Sequence, residues 1–197
     1  MKIAIDIDDT LTLHQTRDTK FTLEFAKANN IALNFVNGKA IEDGITIEWT
    51  PDLYEKFWNS SFGKNFYKYA VVSNKNKQII KILQKRGHEV YFITARNPKW
   101  QELTKNWLKR NQLENVGLIF AKNKGLVCHE NNIDIFVDND LKTCKQVSGF
   151  DIKTYHFNSS EQHGDMKDLN DLLKITKTGE IYEKWDYKTI KGVLSKL

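Results

Sequence analysis

The chain has 197 residues, is 40% hydrophobic, and carries 30 basic against 25 acidic side chains for a net charge of +5. That length supports one core-forming domain with a small accessory unit and excludes two full-sized domains, while the mixed charge excludes a long disordered tail. A basic balance suits nucleic acid or an anionic small molecule; arginine, which reads phosphates and bases bidentately, occurs only at Arg17, Arg86, Arg96 and Arg110, so a solvated lysine-rich surface is expected and no nucleic-acid footprint.

Residues 2–7 (KIAIDI) form a short β-branched run, the pattern of a buried strand. The apolar run is broken by Asp6, and no stretch of about 18 apolar residues follows anywhere, so neither a signal peptide nor a membrane span is read and a cytoplasmic protein is expected. A helix is expected at 17–29, with Phe21, Phe25 and Ala28 on one face, then an irregular stretch over 30–50. Thr50-Pro51 starts a helix, since proline is tolerated in the first turn. The segment to residue 70 is crowded with Tyr54, Phe57, Trp58, Phe62, Phe66, Tyr67 and Tyr69. From there the rhythm is regular: helix 75–86 stopped by Gly87, strand HEVYFITA, a helix opened by Asn97-Pro98, strand GLIFA, a short helix over 124–131, strand IDIFV reaching Asp138, a helix over 140–147 and strand IKTYHF. Helix-like segments at 165–175 and 180–196 close the chain, the second lysine-rich and amphipathic, expected to pack on the domain.

Strands alternating with helices imply βαβ units and an α/β fold built on a parallel, Rossmann-like sheet flanked by helices. The stretch between the first strand and residue 75 is too long for a crossover loop. It is expected to be a small helical insert over the sheet's carboxyl edge, dividing the chain into a core of 1–13 and 73–197 and an insert of 14–72.

Ligands of open parallel sheets bind at the carboxyl ends of the strands. Behind successive strands stand Asp6, Asp8, Asp9 and Thr10; then Thr94 and Arg96; then Lys122 and Lys124; then Asp138, Asn139 and Asp140. Carboxylates gathered there repel and need a cation, and an all-oxygen donor set favours Mg²⁺. A hydroxyl and an ammonium can hold phosphate oxygens, one carboxylate can attack phosphorus, and a second can move the proton of the leaving group.

IAIDIDDTLT resembles the first motif of the haloacid dehalogenase superfamily, an apolar strand followed by Asp-x-Asp-x-Thr. FITAR resembles its second motif, Lys124 fits the lysine of the third, and FVDND stands where the acidic fourth belongs. Order and spacing agree over residues 1 to about 157. The resemblance implies a phosphatase in which Asp6 is nucleophile and metal ligand, Asp8 is acid/base and lends its carbonyl to the metal, Thr94 and Lys124 grip phosphate, Asp138 completes the Mg²⁺ site, and the insert is a cap. HEVYFITARNPKWQELTKNWL, followed by the lysine and IDIFVDN, looks like the 5′(3′)-deoxyribonucleotidases and their bacterial relatives, which implies a nucleoside monophosphate as substrate. At the fourth motif the family carries two adjacent acids where this chain has Asp138-Asn139, followed by Asp140, so Asp138, Asn139 through its amide oxygen, and Asp140 all stand as candidate ligands.

Plainer readings compete. Asp9 and Thr94 could cap turns, Arg96 could contact substrate or form an ion pair, and spacing to Asp138 favours Lys124 over Lys122. Any single aromatic of the insert is expected in a small core, and so are Trp100 and Trp107. His129 and His156 read as structural, and Cys128 and Cys144 as buried free thiols. A sugar-phosphate phosphatase, and a non-catalytic binding module on the same fold, are the alternative functions.

Overall fold

A computed structural model describes residues 1–12, 16–33, 47–157 and 166–176. Five parallel strands form one sheet in the order β3-β2-β1-β4-β5: β1 Lys2–Ile5, β2 Glu89–Thr94, β3 Gly117–Phe120, β4 Ile135–Asp138 and β5 Lys153–His156. β1 lies between β2 and β4, with Ile5 opposite Phe92 on one side and Val137 on the other. The chain builds outward from β1 to β3, then crosses back to β4, so the topological switch point lies between β1 and β4. Loops leave the sheet in opposite directions there and open a crevice at its carboxyl edge.

Helices cover both faces, which is why Ile3–Ile5 of β1 and Ile135–Val137 of β4 are unbroken apolar runs rather than alternating. On one face Ile3, Ile5, Val90 and Phe92 pack with Ile79, Ile80 and Leu83 of α4 (Asn74–Lys85) and Trp107 and Leu108 of α5 (Gln101–Arg110). On the other, Ala4, Ile93 and Phe136 pack with Cys128 of α6 (Lys124–Glu130) and Val147 of α7 (Leu141–Ser148). Both cysteines are buried, as expected. Burial pushes the Cys128 thiol up to about 12, so it stays protonated.

A separate aromatic cluster joins α1 (Thr16–Ala28), α2 (Pro51–Asn59) and α3 (Ser61–Tyr69), with Phe21, Phe25, Ile47 and Phe57 buried at its centre. The Thr50 hydroxyl caps α2 by accepting from Leu53 N, and Ser60 caps α3 by accepting from Phe62 and Gly63 N. This cluster meets the sheet domain through Thr12 and Val72, paired in an antiparallel bridge, and through Trp107, whose indole donates to Ala70 O at 2.8 Å.

Two expectations change. Trp100 lies half-buried in a 3₁₀ turn (Pro98–Trp100) that precedes α5, so it falls outside the core stripe that holds Trp107. The helix expected over 165–175 shortens to α8 (Asp171–Ile175): Met166 is still extended and bridged to Phe157, and an Asp168 turn intervenes. The helix expected over 180–196 and most of the irregular stretch lie outside the described residues. Among the described residues no helix is long and apolar enough to cross a membrane.

Candidate functional site at the switch point

Asp6 leaves β1 with its amide still bonded to Val137 O at 2.9 Å, so the sheet fixes its backbone. The chain then turns through Ile7–Leu11, closed by Thr12 N donating to Ile7 O at 2.9 Å. Asp9 takes the left-handed conformation, φ 61°, which aspartate tolerates better than most residues, and its amide donates to the Thr12 hydroxyl. Asp9 thus acts in the turn.

Lys124 opens α6 and is buried beneath the crevice. Its ammonium donates to Asp6 Oδ1 at 2.5 Å and to Asp138 Oδ2 at 2.8 Å. Lys122 is exposed, so the structure brings Lys124 to the carboxylates and leaves Lys122 outside. Burial alone would lower the Lys124 pKa, but Asp6 and Asp138 outweigh it and hold the ammonium above the ordinary lysine range. Burial pushes the Asp6 carboxyl up to about 7; Lys124 opposes the shift, and Asp138 and Asp8 add to it. Two buried carboxylates therefore share one buried cation.

Asp138 ends β4, and its Oδ1 accepts from Asp140 N at 2.8 Å. Asp140 caps α7, accepting from the amides of Lys142 and Thr143 and from the Thr143 hydroxyl at 2.6 Å. Those bonds hold the Asp140 carboxyl below its usual range, and they occupy both oxygens. Asn139 is tied to the first loop: its amide donates to Thr10 Oγ1 at 3.0 Å, and its side-chain oxygen lies 3.2 Å from the same hydroxyl. Of the three candidates at the fourth motif, Asp138 alone meets Asp6 across a shared group.

Thr94 ends β2, fully buried, and its hydroxyl oxygen accepts from Arg96 N at 3.2 Å. Asp8 points away from Lys124, onto Arg96, which binds both its carboxylate oxygens. Arg96 forms an ion pair in which its own guanidinium is buried and its partner is a residue of the first motif. The sequence left its role open; the signal for it was an arginine two residues past a strand end in a chain of lysines. His156 Nε2 lies 3.0 Å from Asn139 O, and His129 rests 5.4 Å from the Phe150 ring, both structural contacts.

Among the described residues no three carboxylate, thiolate or imidazole groups form a closed metal cluster. The donors at the crevice are nonetheless all oxygen, and the shortage of positive charge around Asp6 and Asp138 suits a hard divalent cation.

No family profile matches the chain. A Bacillus cereus protein named "Putative nucleotidase" is 34% identical over 110 residues, 55% of this chain and 57% of that protein, so the match spans little more than half its length. The structure aligns with a haloacid dehalogenase superfamily hydrolase of Geobacter sulfurreducens at TM-score 0.62 and 8% identity, covering 88% of this chain and 98% of that one. It also aligns with a haloacid dehalogenase family enzyme of Bacteroides thetaiotaomicron, in complex with magnesium and inorganic phosphate, at TM-score 0.50 and 14% identity over 82% and 95% of the two chains. The chain therefore has the haloacid dehalogenase-like fold, and in sequence it resembles proteins that carry the nucleotidase name.

Proposed function

We propose that the chain is a magnesium-dependent phosphomonoester hydrolase that forms an aspartyl-phosphate at Asp6 and acts on nucleoside monophosphates. The observation that carries this reading is the buried pair of Asp6 and Asp138 on one lysine ammonium, at the switch point of a parallel sheet.

Asp6 attacks phosphorus through a carboxylate oxygen. As the new P–O bond forms, the bond to the leaving oxygen breaks, and that oxygen takes a proton from Asp8. Water then gives its proton to Asp8 and attacks phosphorus, releasing inorganic phosphate and restoring Asp6. Lys124 keeps its charge in the buried site and is suited to stabilise the phosphoryl oxygens. The Thr94 hydroxyl, accepting from Arg96 N, retains its own proton to donate to phosphate. Asp6, the Asp8 carbonyl and Asp138 would hold Mg²⁺, which supplies the positive charge that the two carboxylates lack and polarises the phosphoryl group. A neighbour in fold is described in complex with magnesium and inorganic phosphate, which supports this choice.

The nucleotide assignment rests on the Bacillus cereus relative's name and on the aromatic insert, whose exposed Trp49, Tyr54 and Tyr69 offer flat faces that suit a base. The insert, expected over 14–72, serves in this reading as the cap.

Phosphate release from nucleoside and deoxynucleoside monophosphates and from sugar phosphates, with and without Mg²⁺, tests the reading. Metal-dependent turnover of nucleotides, reduced at least about 10³-fold in Asp6→Asn, is the expected result. Turnover of sugar phosphates alone keeps the chemistry and discards the substrate. A folded protein that releases phosphate from nothing discards both.

A further inference from the structure

Arg96 joins the first motif to the helical insert. Its side chain is fully buried, and among the described residues the carboxylate it pairs with is Asp8, bound bidentately through Nε at 2.9 Å and Nη2 at 2.6 Å. Its guanidinium carbon lies over two rings, 4.4 Å from the centroid of Tyr67 on α3 and 5.1 Å from that of Trp107 on α5. Tyr67 in turn stacks on Trp58 of α2, 4.9 Å away and 15° from parallel.

A guanidinium removed from water is tolerated only with its charge matched and its donors filled. The fork fixes the plane of the Asp8 carboxylate as well as its position, which a single hydrogen bond would not do. The rings fix the plane of the fork. Tyr67 comes from the insert and Trp107 from the sheet domain, so the Asp8 carboxylate is oriented by a contact that exists only when the two are packed together.

We propose that Arg96 is the positioning residue for Asp8, and that Tyr67 makes this positioning depend on how the helical insert sits on the sheet domain. The inference rests on the reading of Asp8 as acid/base. When the leaving oxygen takes the proton of Asp8, the carboxylate left behind is the form that the Arg96 fork binds best. The same fork then holds that carboxylate for the attacking water. Lysine carries the charge without the fork or the flat face, so Arg96→Lys separates orientation from charge.

The test compares two phosphomonoesters by kcat/KM, which covers the reaction only through departure of the leaving group. One is an alkyl ester that the wild type hydrolyses, a nucleoside monophosphate in the proposed reading. The other is p-nitrophenyl phosphate, whose leaving oxygen needs no proton. Arg96→Lys and Tyr67→Leu are expected to lose about 10²-fold on the alkyl ester and less than about tenfold on the nitrophenyl ester, with KM little changed. Tyr67→Phe, which keeps the ring, is expected to retain wild-type selectivity between the esters. Circular dichroism checks folding; if Arg96→Lys does not fold, the two Tyr67 variants decide. Equal losses on both esters, a rise in KM that accounts for the loss, or unchanged kinetics would overturn the proposal while leaving the phosphatase reading intact. A wild type inactive on both esters would instead overturn that reading and take this inference with it.

Discussion

Burial sets the chemistry of Asp6, whose carboxyl is pushed up to about 7 while its unfolded value is 3.8. Between those values the folded chain holds a proton that the unfolded chain has lost. The associated stability is fully present below the unfolded value and is lost as pH rises through about 7. In chelator, Asp6→Asn is therefore expected to melt progressively higher than wild type as pH rises from about 5 to about 8, by several degrees at the upper end. Thermal melts of the two proteins across that range check it, and the difference cancels titrations common to both. The fourth motif gives a second residue-scale expectation. Asp140→Ala should cost about 1 kcal/mol of stability through the lost cap and leave kcat/KM unchanged. Asp138→Asn should lower activity on the order of 10²-fold and weaken the response to Mg²⁺. Denaturant melts and metal titrations of both variants separate a capping role from a ligand role.

At the scale of elements, the turn from α2 into α3 determines where Tyr67 points. Ser60 ends one helix and caps the next, and Gly63 follows on the first turn of α3. A Cβ on Gly63 would meet Phe57 O at 2.6 Å and Trp58 Cα at 2.8 Å, both backbone atoms that cannot swing aside. Gly63→Ala is expected to destabilise the chain by about 1–3 kcal/mol, although alanine is the better helix former by about 1 kcal/mol. Urea unfolding measures the sign: a stabilised variant would mean that the two helices are free to separate. Trp58 and Tyr67 lie on either side of this turn, so a strained Gly63→Ala that still folds should also lower activity through the Arg96 contact.

For the molecule as a whole, the aromatic cluster of α1–α3 is tied to the sheet and its helices by hydrogen bonds from several elements. Thr12 pairs with Val72, the Trp107 indole donates to Ala70 O at 2.8 Å, and Arg110 donates to Lys68 O at 2.6 Å. A ligand that adds positive charge at the crevice stabilises only the folded form. Mg²⁺ at about a hundred times its dissociation constant should add about 2.7 kcal/mol, read as a rise in melting temperature of several degrees. Asp138→Asn should reduce that rise, whereas Asp140→Ala should keep it. A monovalent potassium salt at equal ionic strength controls for screening.

The parallel sheet was legible because strand and helix periods are local. KIAIDI, HEVYFITA and IDIFV are apolar runs of strand length between helical stripes, and an alternation of that kind has few topologies open to it. The candidate site was legible for a related reason: a residue just past a strand's carboxyl end is brought to one edge of the sheet wherever the strand sits. Asp6, Thr94, Lys124 and Asp138 follow from that rule without any knowledge of strand order. The limits of the final helix were less legible, since Met166 extends by pairing with Phe157, a partner chosen in three dimensions. Tertiary structure alone decided what shares a charge with what. Lys124 rather than Lys122 is buried against Asp6, Asp140 is spent on a helix cap, and Arg96 is turned onto Asp8 under Tyr67. The cap at Asp140 is local, but the Lys124–Asp6 and Arg96–Asp8 contacts join residues 118 and 88 positions apart, and their strength depends on burial, which no local pattern encodes.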